Sequence, residues 1–364
     1  MEGRPLRVRR AAAQLLSGRG AASGPEIVAR LLAVQAQDLR SARLALRARS
    51  DALTAADVDR ALSVDRSLVV GWLARGTLHL ARREDYPWLL ALTAPRGLAT
   101  SRRRLAEEGV SVDEAERAVA LVGRALAAEG PLTRPELAER MASRGIRTEG
   151  QATPHLLKLA VLRGVALLGP LGAGKQAFVS ARDWLGATTP CEFSGADRDA
   201  ALAELARRYL RGHGPATSAD LSAWAGLALR DARVGLRSIA GELVELDRGL
   251  VDLAARDSSA ARLPPRLLPA FDPYLLGWKH RAFAVPAEHA RRVHPGGGML
   301  RAVATVDGLA AGTWSARRRG DRLAVVIELF SPVGQVVAAH LETEAAAVAR
   351  FEGLALAGSE TGPQ

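Results

Sequence analysis

Apolar side chains recur at helical spacing through most of residues 6–260 and give way to strand-like alternation beyond them. Within residues 6–100, Ala11–Leu16 reads as one helix, closed by Gly18, Gly20 and Gly24-Pro25. Ile27, Leu31, Leu32 and Val34 form the stripe of a second, from about Pro25 to Val34. Pro25 suits its first turn, where a missing N–H costs nothing. Gln35 and Gln37 then fall at or just past its C-terminal end. Thr54 reads as the N-cap of a third helix, with Asp57 three residues on. Trp72–Leu80 alternates and suits a strand or wing.

A clearer unit occupies residues 113–180. Ala115–Ala128 reads as a helix stopped by Gly130-Pro131. Thr133 caps the next, with Pro135 in its first turn and Glu136 completing a capping box, and Gly145 ends it. Pro154–Leu162 is a third helix. Val165–Leu168 and Gln176–Val179 are short strands around a glycine-rich turn. Three helices followed by a hairpin is the pattern of a winged helix. It returns at 199–254: helices over Ala200–Arg211, Leu221–Ala225 and Arg230–Ile239, with Thr217 or Ser218 as a cap. Strands at Leu243–Leu246 and Leu250–Leu253 then flank the tight turn Asp247-Arg248-Gly249. Residues 6–100 read as a third copy of the same degenerate repeat.

Pro264, Pro265 and Pro269 read as a linker. Leu300–Thr305, Leu309–Trp314 and Leu323–Leu329 are strand-like, joined by Asp307-Gly308 and Gly320-Asp321 turns, and Ser331–Phe351 closes as a helix. The expected fold is mainly α with small β-sheets. It divides into winged-helix units at 1–110, 111–196 and 197–262 and a β-rich C-terminal part at 263–364 with a closing helix.

Composition narrows the chemistry. The chain has 364 residues, 48% of them apolar, enough for a core in two or three domains and too apolar for a disordered protein. Its formal net charge of +11 favours a polyanionic partner. The single cysteine, Cys191, excludes disulfide scaffolds, thiolate zinc sites and iron–sulfur clusters within one chain. No apolar run is long enough to span a bilayer, and the basic N-terminus lacks a signal-like apolar stretch, so a reducing cytoplasm fits.

Several motifs carry chemistry in outline. Gly169–Gln176 approaches the phosphate-binding loop G-x-x-x-x-G-K-[ST]. Gln176 stands where a hydroxyl should ligate magnesium, and a strand follows instead of a helix, so a wing tip is the better reading. The seven histidines make no pair on one helix face, and no metal is expected. Asp272, before Pro273, reads either as a turn cap or as a supporting acid. Arg317, Arg318 and Arg319, followed by Gly320-Asp321, form a basic hairpin tip. Arg291 and Arg292 precede the glycine-rich Gly296-Gly297-Gly298, which could lay backbone close to a phosphate. Gln35 and Gln37 flank Ala36. Amides cannot act as acid or base, but they can orient a water and hold a dipole against positive charge.

The segment Leu31–Leu46, with its Gln35-Ala36-Gln37, resembles the Q-apolar-Q signature of AlkZ-type DNA glycosylases. Gly71–Leu80, Leu267–Gly277 and Val306–Trp314 resemble blocks of the same family, in the expected order. The resemblance covers nearly the whole chain. It implies three tandem winged helices and a C-terminal β-rich part around a C-shaped DNA channel. The implied activity is hydrolysis of the N-glycosidic bond of N-alkylated purines, especially N7-alkylguanine, in double-stranded DNA. Bulky natural-product adducts and interstrand crosslinks are further substrates among similar proteins, which protect the producers of such agents. The YcaQ-type branch carries aspartate where this chain has Gln37, which puts this chain on the glutamine branch.

On this resemblance Gln37 positions the water and Gln35 orients water or the sugar–phosphate, without cofactor or covalent lysine intermediate. Arg75, Arg291, Arg292 and Arg317–Arg319 are the expected phosphate contacts. Thr77, His79 and the glycines 296–298 are further contacts, and Asp272 a supporting residue. A monomer is expected. The rival reading is a noncatalytic winged-helix regulator, which explains charge and repeats but not the two glutamines. A drug-sequestering protein would need an aromatic pocket, which 4% aromatic residues argues against.

Overall fold

The computed structural model describes residues 3–18, 20, 22–172, 175–186, 193, 195–256 and 263–363. The described chain is mainly helical with small sheets. It resolves into two compact units, both discontinuous in sequence. One comprises Met1–Val58, Ala203–Trp224 and Ala228–Gln364; the other comprises Asp59–Leu202 and Ala225–Leu227.

The first unit begins with α1 (Arg4–Ala13), α2 (Gly24–Leu31), the two-residue strand β1 (Val34–Gln35) and α3 (Leu39–Arg47). Ser23 starts α2 in a capping box with Glu26, whose Oε2 accepts the Ser23 N–H at 2.7 Å. The helix ends three residues earlier than its apolar stripe predicts, because Leu32 adopts φ +68 and turns the chain out of the helix. Thr54 caps α4 (Ala55–Ser63) with Asp57 as its reciprocal partner: the Thr54 N–H donates at 2.9 Å and its Oγ1 accepts at 3.2 Å.

The second unit opens with β2 (Leu68–Trp72) and β3 (Leu78–Arg82). The alternation from Trp72 to Leu80, read as a strand or a wing, spans the turn of the β2–β3 hairpin. Its turn uses left-handed residues, Arg75 at φ +56 and Gly76 at φ +69. Then follow α5 (Tyr86–Glu107), α6 (Val112–Glu129), β4 (Leu132–Thr133), α7 (Arg134–Ala142), α8 (Ala152–Leu162), β5 (Ala166–Gly172), β6 (Lys175–Ser180) and α9 (Ala181–Leu185). Glu136 accepts the Thr133 N–H at 2.7 Å, the capping box that the sequence predicts. From α6 to β6 the order is helix, short strand, two helices and a hairpin. Within this unit the strands run in the order β3-β2-β5-β6-β4. The phosphate-loop look-alike lies on β5 and β6, so no helix follows it directly; its Ala173 and Gly174, like Cys191, lie outside the described residues.

His79 lies on β3 of the β2–β3 hairpin and is 1% exposed. Its Nδ1 is 3.0 Å from the Thr77 carbonyl oxygen. Burial, and then the charge of Arg75, lowers its pKa to about 3, so the imidazole is neutral near pH 7. Opposite it stands Gly71. The buried Tyr86 hydroxyl would lie 2.1 Å from a Cβ at that position, which is why the strand carries glycine there.

The helix α10 (Gly195–His213) precedes α11 (Ser218–Ala225), α12 (Leu229–Ser238), β7 (Leu243–Glu245) and β8 (Val251–Leu253). Thr217 is the cap of α11, reciprocally bonded to Asp220 at 2.9 and 3.1 Å.

The C-terminal part holds β9 (Arg266–Leu268), the short helices α13 (Pro273–Leu276) and α14 (Ala290–Val293), β10 (Val303–Val306), β11 (Leu309–Arg319), β12 (Arg322–Leu329), α15 (Gln335–Phe351) and β13 (Ala355–Pro363). The sheet order is β13-β12-β11-β10-β9. Two expectations are corrected here. The proline-flanked segment is not simply a linker, because it contributes β9. Nor does α15 close the chain: it is the crossover to β13, which pairs parallel with β12. Both overlooked strands lie at sheet edges, where proline is tolerated and apolar alternation is not required.

Buried ion pairs bind the first unit internally. Arg49 and Asp272 are both fully buried and 2.8 Å apart. Arg49 also donates to Gln14 Oε1 at 2.7 Å and to the Ala45 carbonyl at 2.7 Å. Asp272 accepts the Tyr274 N–H at 2.8 Å, so it is both a helix cap and a charge partner. Arg47 meets Glu344 at 2.9 Å, again with both side chains buried.

Two outcomes are expected. Asp272→Ala leaves the Arg49 guanidinium buried without its counter-charge and should cost about 3–5 kcal/mol in denaturant-induced unfolding. His79 binds its proton less readily folded than unfolded, so stability is retained above pH ~6.5 and declines as pH falls toward 3. The His79 contribution is a slope of up to about 1.4 kcal/mol per pH unit, which His79→Gln should remove from a pH series of unfolding curves.

Candidate active site

The two glutamines sit in the link between α2 and α3. Leu32 reverses the backbone at φ +68, Val34 and Gln35 run extended, and Asp38 caps α3. Side chains alternate along this link, as they do on extended chain. Val34 is fully buried and Ala36 is 3% exposed, whereas Gln35 is half-buried and Gln37 is exposed. The apolar residues thus pin the link to the core and leave Gln35 half-buried and Gln37 exposed. Neither glutamine is without a partner.

Asp38 is the sole acidic residue of Leu31–Leu46. It is engaged in holding α3: its oxygens accept the Arg40 and Ser41 N–H groups, each at 3.2 Å. The carboxylate nearest in sequence to the glutamines therefore has a structural task, and the first-turn donors of α3 are already satisfied.

Ion pairs hold α3 at both ends. Arg47 and Arg49 enter the core as described, and Arg40 meets Glu352 at 3.0 Å. The pairs Arg40–Glu352 and Arg47–Glu344 run in opposite directions along the chain, so α3 lies antiparallel to α15. Sequence reading missed Arg47, Arg49 and Glu344. Their one signal is two cations inside the otherwise apolar stretch Leu44–Ala48 and its continuation.

Asp272 lies in the interior, where it anchors α13 and Arg49. The block containing it packs against the block at Val306–Trp314. The Tyr274 hydroxyl donates to the Gly308 carbonyl at 3.0 Å, and the Trp314 indole N–H donates to the Leu268 carbonyl at 2.7 Å.

The expected phosphate contacts of the C-terminal part lie at the end of β11 and on α14. Arg317, Arg318 and Arg319 are exposed at the end of the β11–β12 hairpin, and Arg319 stands opposite the exposed Arg322. Arg291 is exposed; Arg292 is half-buried, its guanidinium 4.2 Å from the Phe330 ring centre. Gly296, Gly297 and Gly298 follow with φ of +107, +60 and +75, and open space surrounds each of them. The left-handed backbone explains the glycine run.

Arg75, Thr77 and His79 belong to the second compact unit. Arg75 is exposed. Thr77 Oγ1 donates to the Ala74 carbonyl at 3.2 Å, closing the turn. His79 departs from the expectation of a DNA contact: it is buried and neutral, and offers neither charge nor surface to a phosphate. Among the described residues no group of three or more His, Cys, Asp or Glu could hold a metal ion. No helix among them is long and apolar enough to cross a membrane.

The profile of the AlkZ-like DNA glycosylase family matches residues 28–351, which contain both glutamines and the Arg49–Asp272 pair. The chain is 30% identical to an interstrand DNA cross-link repair glycosylase of Streptomyces sahachiroi, over 94% of each chain. It is similar to the solved structure of the Streptomyces sahachiroi DNA glycosylase AlkZ, with a TM-score of 0.79, 28% identity and full coverage of both chains. With the family profile spanning most of the chain, the protein belongs to the AlkZ-like family of DNA glycosylases.

Proposed function

We propose that this DNA glycosylase hydrolyses the N-glycosidic bond of N-alkylated purines, with N7-alkylguanine as its principal substrate class, and leaves an abasic site. The observation that carries the reading is the pair of neutral amides on the link before α3, beside a carboxylate already engaged as a helix cap. The two amides themselves neither give nor take a proton, and the one carboxylate of that segment is engaged in capping α3. A substrate whose leaving group is already activated matches such a site. An N7-alkylated guanine is cationic, so its departure needs no general acid.

In the proposed step, Gln37 holds a water near C1′ through its amide oxygen. Gln35 orients the same water or the sugar–phosphate. The C1′–N9 bond breaks and its electron pair neutralises the purine. The water oxygen bonds to C1′, and its proton leaves to solvent. The amide dipoles stabilise the oxocarbenium-like sugar at intermediate stages. Adducts on N7 project into the major groove, so bulky groups and crosslinks can be accommodated outside a tight base pocket. Interstrand crosslink repair, the activity named for the Streptomyces sahachiroi relative, is read here as part of the same substrate class.

The reading includes its partners. Residues 1–110, 111–196 and 197–262 serve as winged-helix units, and 263–364 as a β-rich subdomain. The chain acts as a monomer on double-stranded DNA in the cytoplasm. Arg75, Arg291, Arg292 and Arg317–Arg319 contact phosphates, with the glycines 296–298 giving close backbone approach.

The decisive assay uses a duplex carrying one N7-methylguanine and a second carrying a bulky N7 adduct. Free base and an alkali-labile strand are expected. Release from neither duplex, under conditions where the protein binds it, sinks the reading. Gln37→Ala should bind DNA within about threefold of the parent and release base on the order of 100-fold more slowly. Replacing Arg317, Arg318 and Arg319 together by Ala should weaken binding to damaged and undamaged DNA alike. It should also reduce the slope of log affinity against log salt by about 2–3.

A further inference from the structure

The glutamine link is short and apolar on its inner side, so the helices it joins set its position. The end of α2 meets α10 at Gly212. A Cβ on Gly212 would come 2.3 Å from the Arg30 carbonyl oxygen and 3.1 Å from Leu31 Cα. Those atoms are backbone and cannot swing aside as the tip of a side chain would.

Arginines tie the two helix ends to each other. Arg30, on α2, donates to the Arg211 carbonyl of α10 at 3.4 Å. Arg208, on α10, donates to the Ala29 carbonyl of α2, also at 3.4 Å. Arg256 donates to the Arg211 carbonyl at 3.2 Å and is itself held by Asp252 at 2.8 Å. Each helix end leaves carbonyls without an intrahelical partner, and the guanidinium groups of the other elements take them.

A shift at this crossing has little room to dissipate. Leu31, Leu32 and Val34 are fully buried, and Ala33 is 4% exposed. Leu32 holds a left-handed conformation that a leucine adopts only when its surroundings over-determine it. Four packed residues thus separate the crossing from Gln35.

We infer that Gly212 is a positioning residue for the reaction: its missing side chain lets α2 close on α10, and that closure sets where Gln35 and Gln37 stand. This rests on the water-positioning role proposed for the two glutamines. A Cβ at residue 212 displaces the end of α2 by roughly an ångström, a misplacement that costs on the order of 100-fold where reacting groups must be aligned.

The experiment compares single-turnover base release with DNA affinity in two variants, each checked for folding by circular dichroism. Gly212→Ala should slow release by about 10–100-fold while affinity changes by less than about threefold. Arg208→Lys keeps the charge but loses the planar fork, and should slow release by about 3–10-fold with affinity nearly unchanged. Should Gly212→Ala fail to fold, Arg208→Lys decides alone. A folded variant that releases base at the parent rate overturns the inference, as does a rate that falls only in step with affinity. If the parent itself releases no base from either adduct, the functional reading has failed, a result distinct from an active parent matched by its variants.

Discussion

Arg49 and Asp272 form an ion pair with no solvent contact on either side chain. Removing two such charges from water costs several kcal/mol per ion, and Coulomb attraction alone does not reliably offset it. The structure surrounds the pair with further hydrogen bonds instead. Arg49 reaches Gln14 and the Ala45 carbonyl, Asp272 takes the Tyr274 N–H, and Gln14 closes the ring by donating to the Pro273 carbonyl at 3.2 Å. One pair therefore ties α1, the end of α3 and the start of α13. Apolar replacements could fill the same volume, but they would not dictate which segment faces which. The ion pair contributes register, and α3 is the element whose register matters most, since the glutamine link runs directly into it.

Two constraints then meet on a few residues. Arg40 at the start of α3 and Arg47 at its end align the helix along α15 through Glu352 and Glu344. Before the link, α2 closes on α10 over Gly212. The amides between these anchors are neutral, and the proposed reaction needs no more charge than that. A positive charge leaves the alkylated purine and builds on the sugar, so the total is unchanged along the path. Fixed dipoles can follow such a redistribution without gaining or losing a proton.

The same structure separates two uses of arginine that composition merges. The net charge of +11 counts the guanidinium of Arg49 equally with that of Arg318. The first is sealed in the core; the second is exposed beside a hairpin turn. Arg10 is a third kind: it is buried against the Trp278 and Phe283 rings, 4.5 and 4.4 Å from their centres, and burial lowers its pKa to about 10. Only part of the positive charge is therefore available to attract a phosphate backbone.

The sequence by itself determined what depends on near neighbours. The helix caps at Thr54 and Thr133 and the turns at Asp247–Gly249 and Gly320-Asp321 all follow from residues a few positions apart. It also showed, through the four resembling blocks, which family's chemistry to expect. Tertiary structure decided the rest. The edge strand β13 carries no apolar alternation because its neighbour β12 supplies the pairing. His79 reads as a DNA contact until the fold buries it. Asp272 reads as a turn cap until Arg49, 223 positions away in sequence, arrives beside it. Burial and charge pairing are properties of segments brought together by packing, and no local pattern records which distant segment will supply the partner.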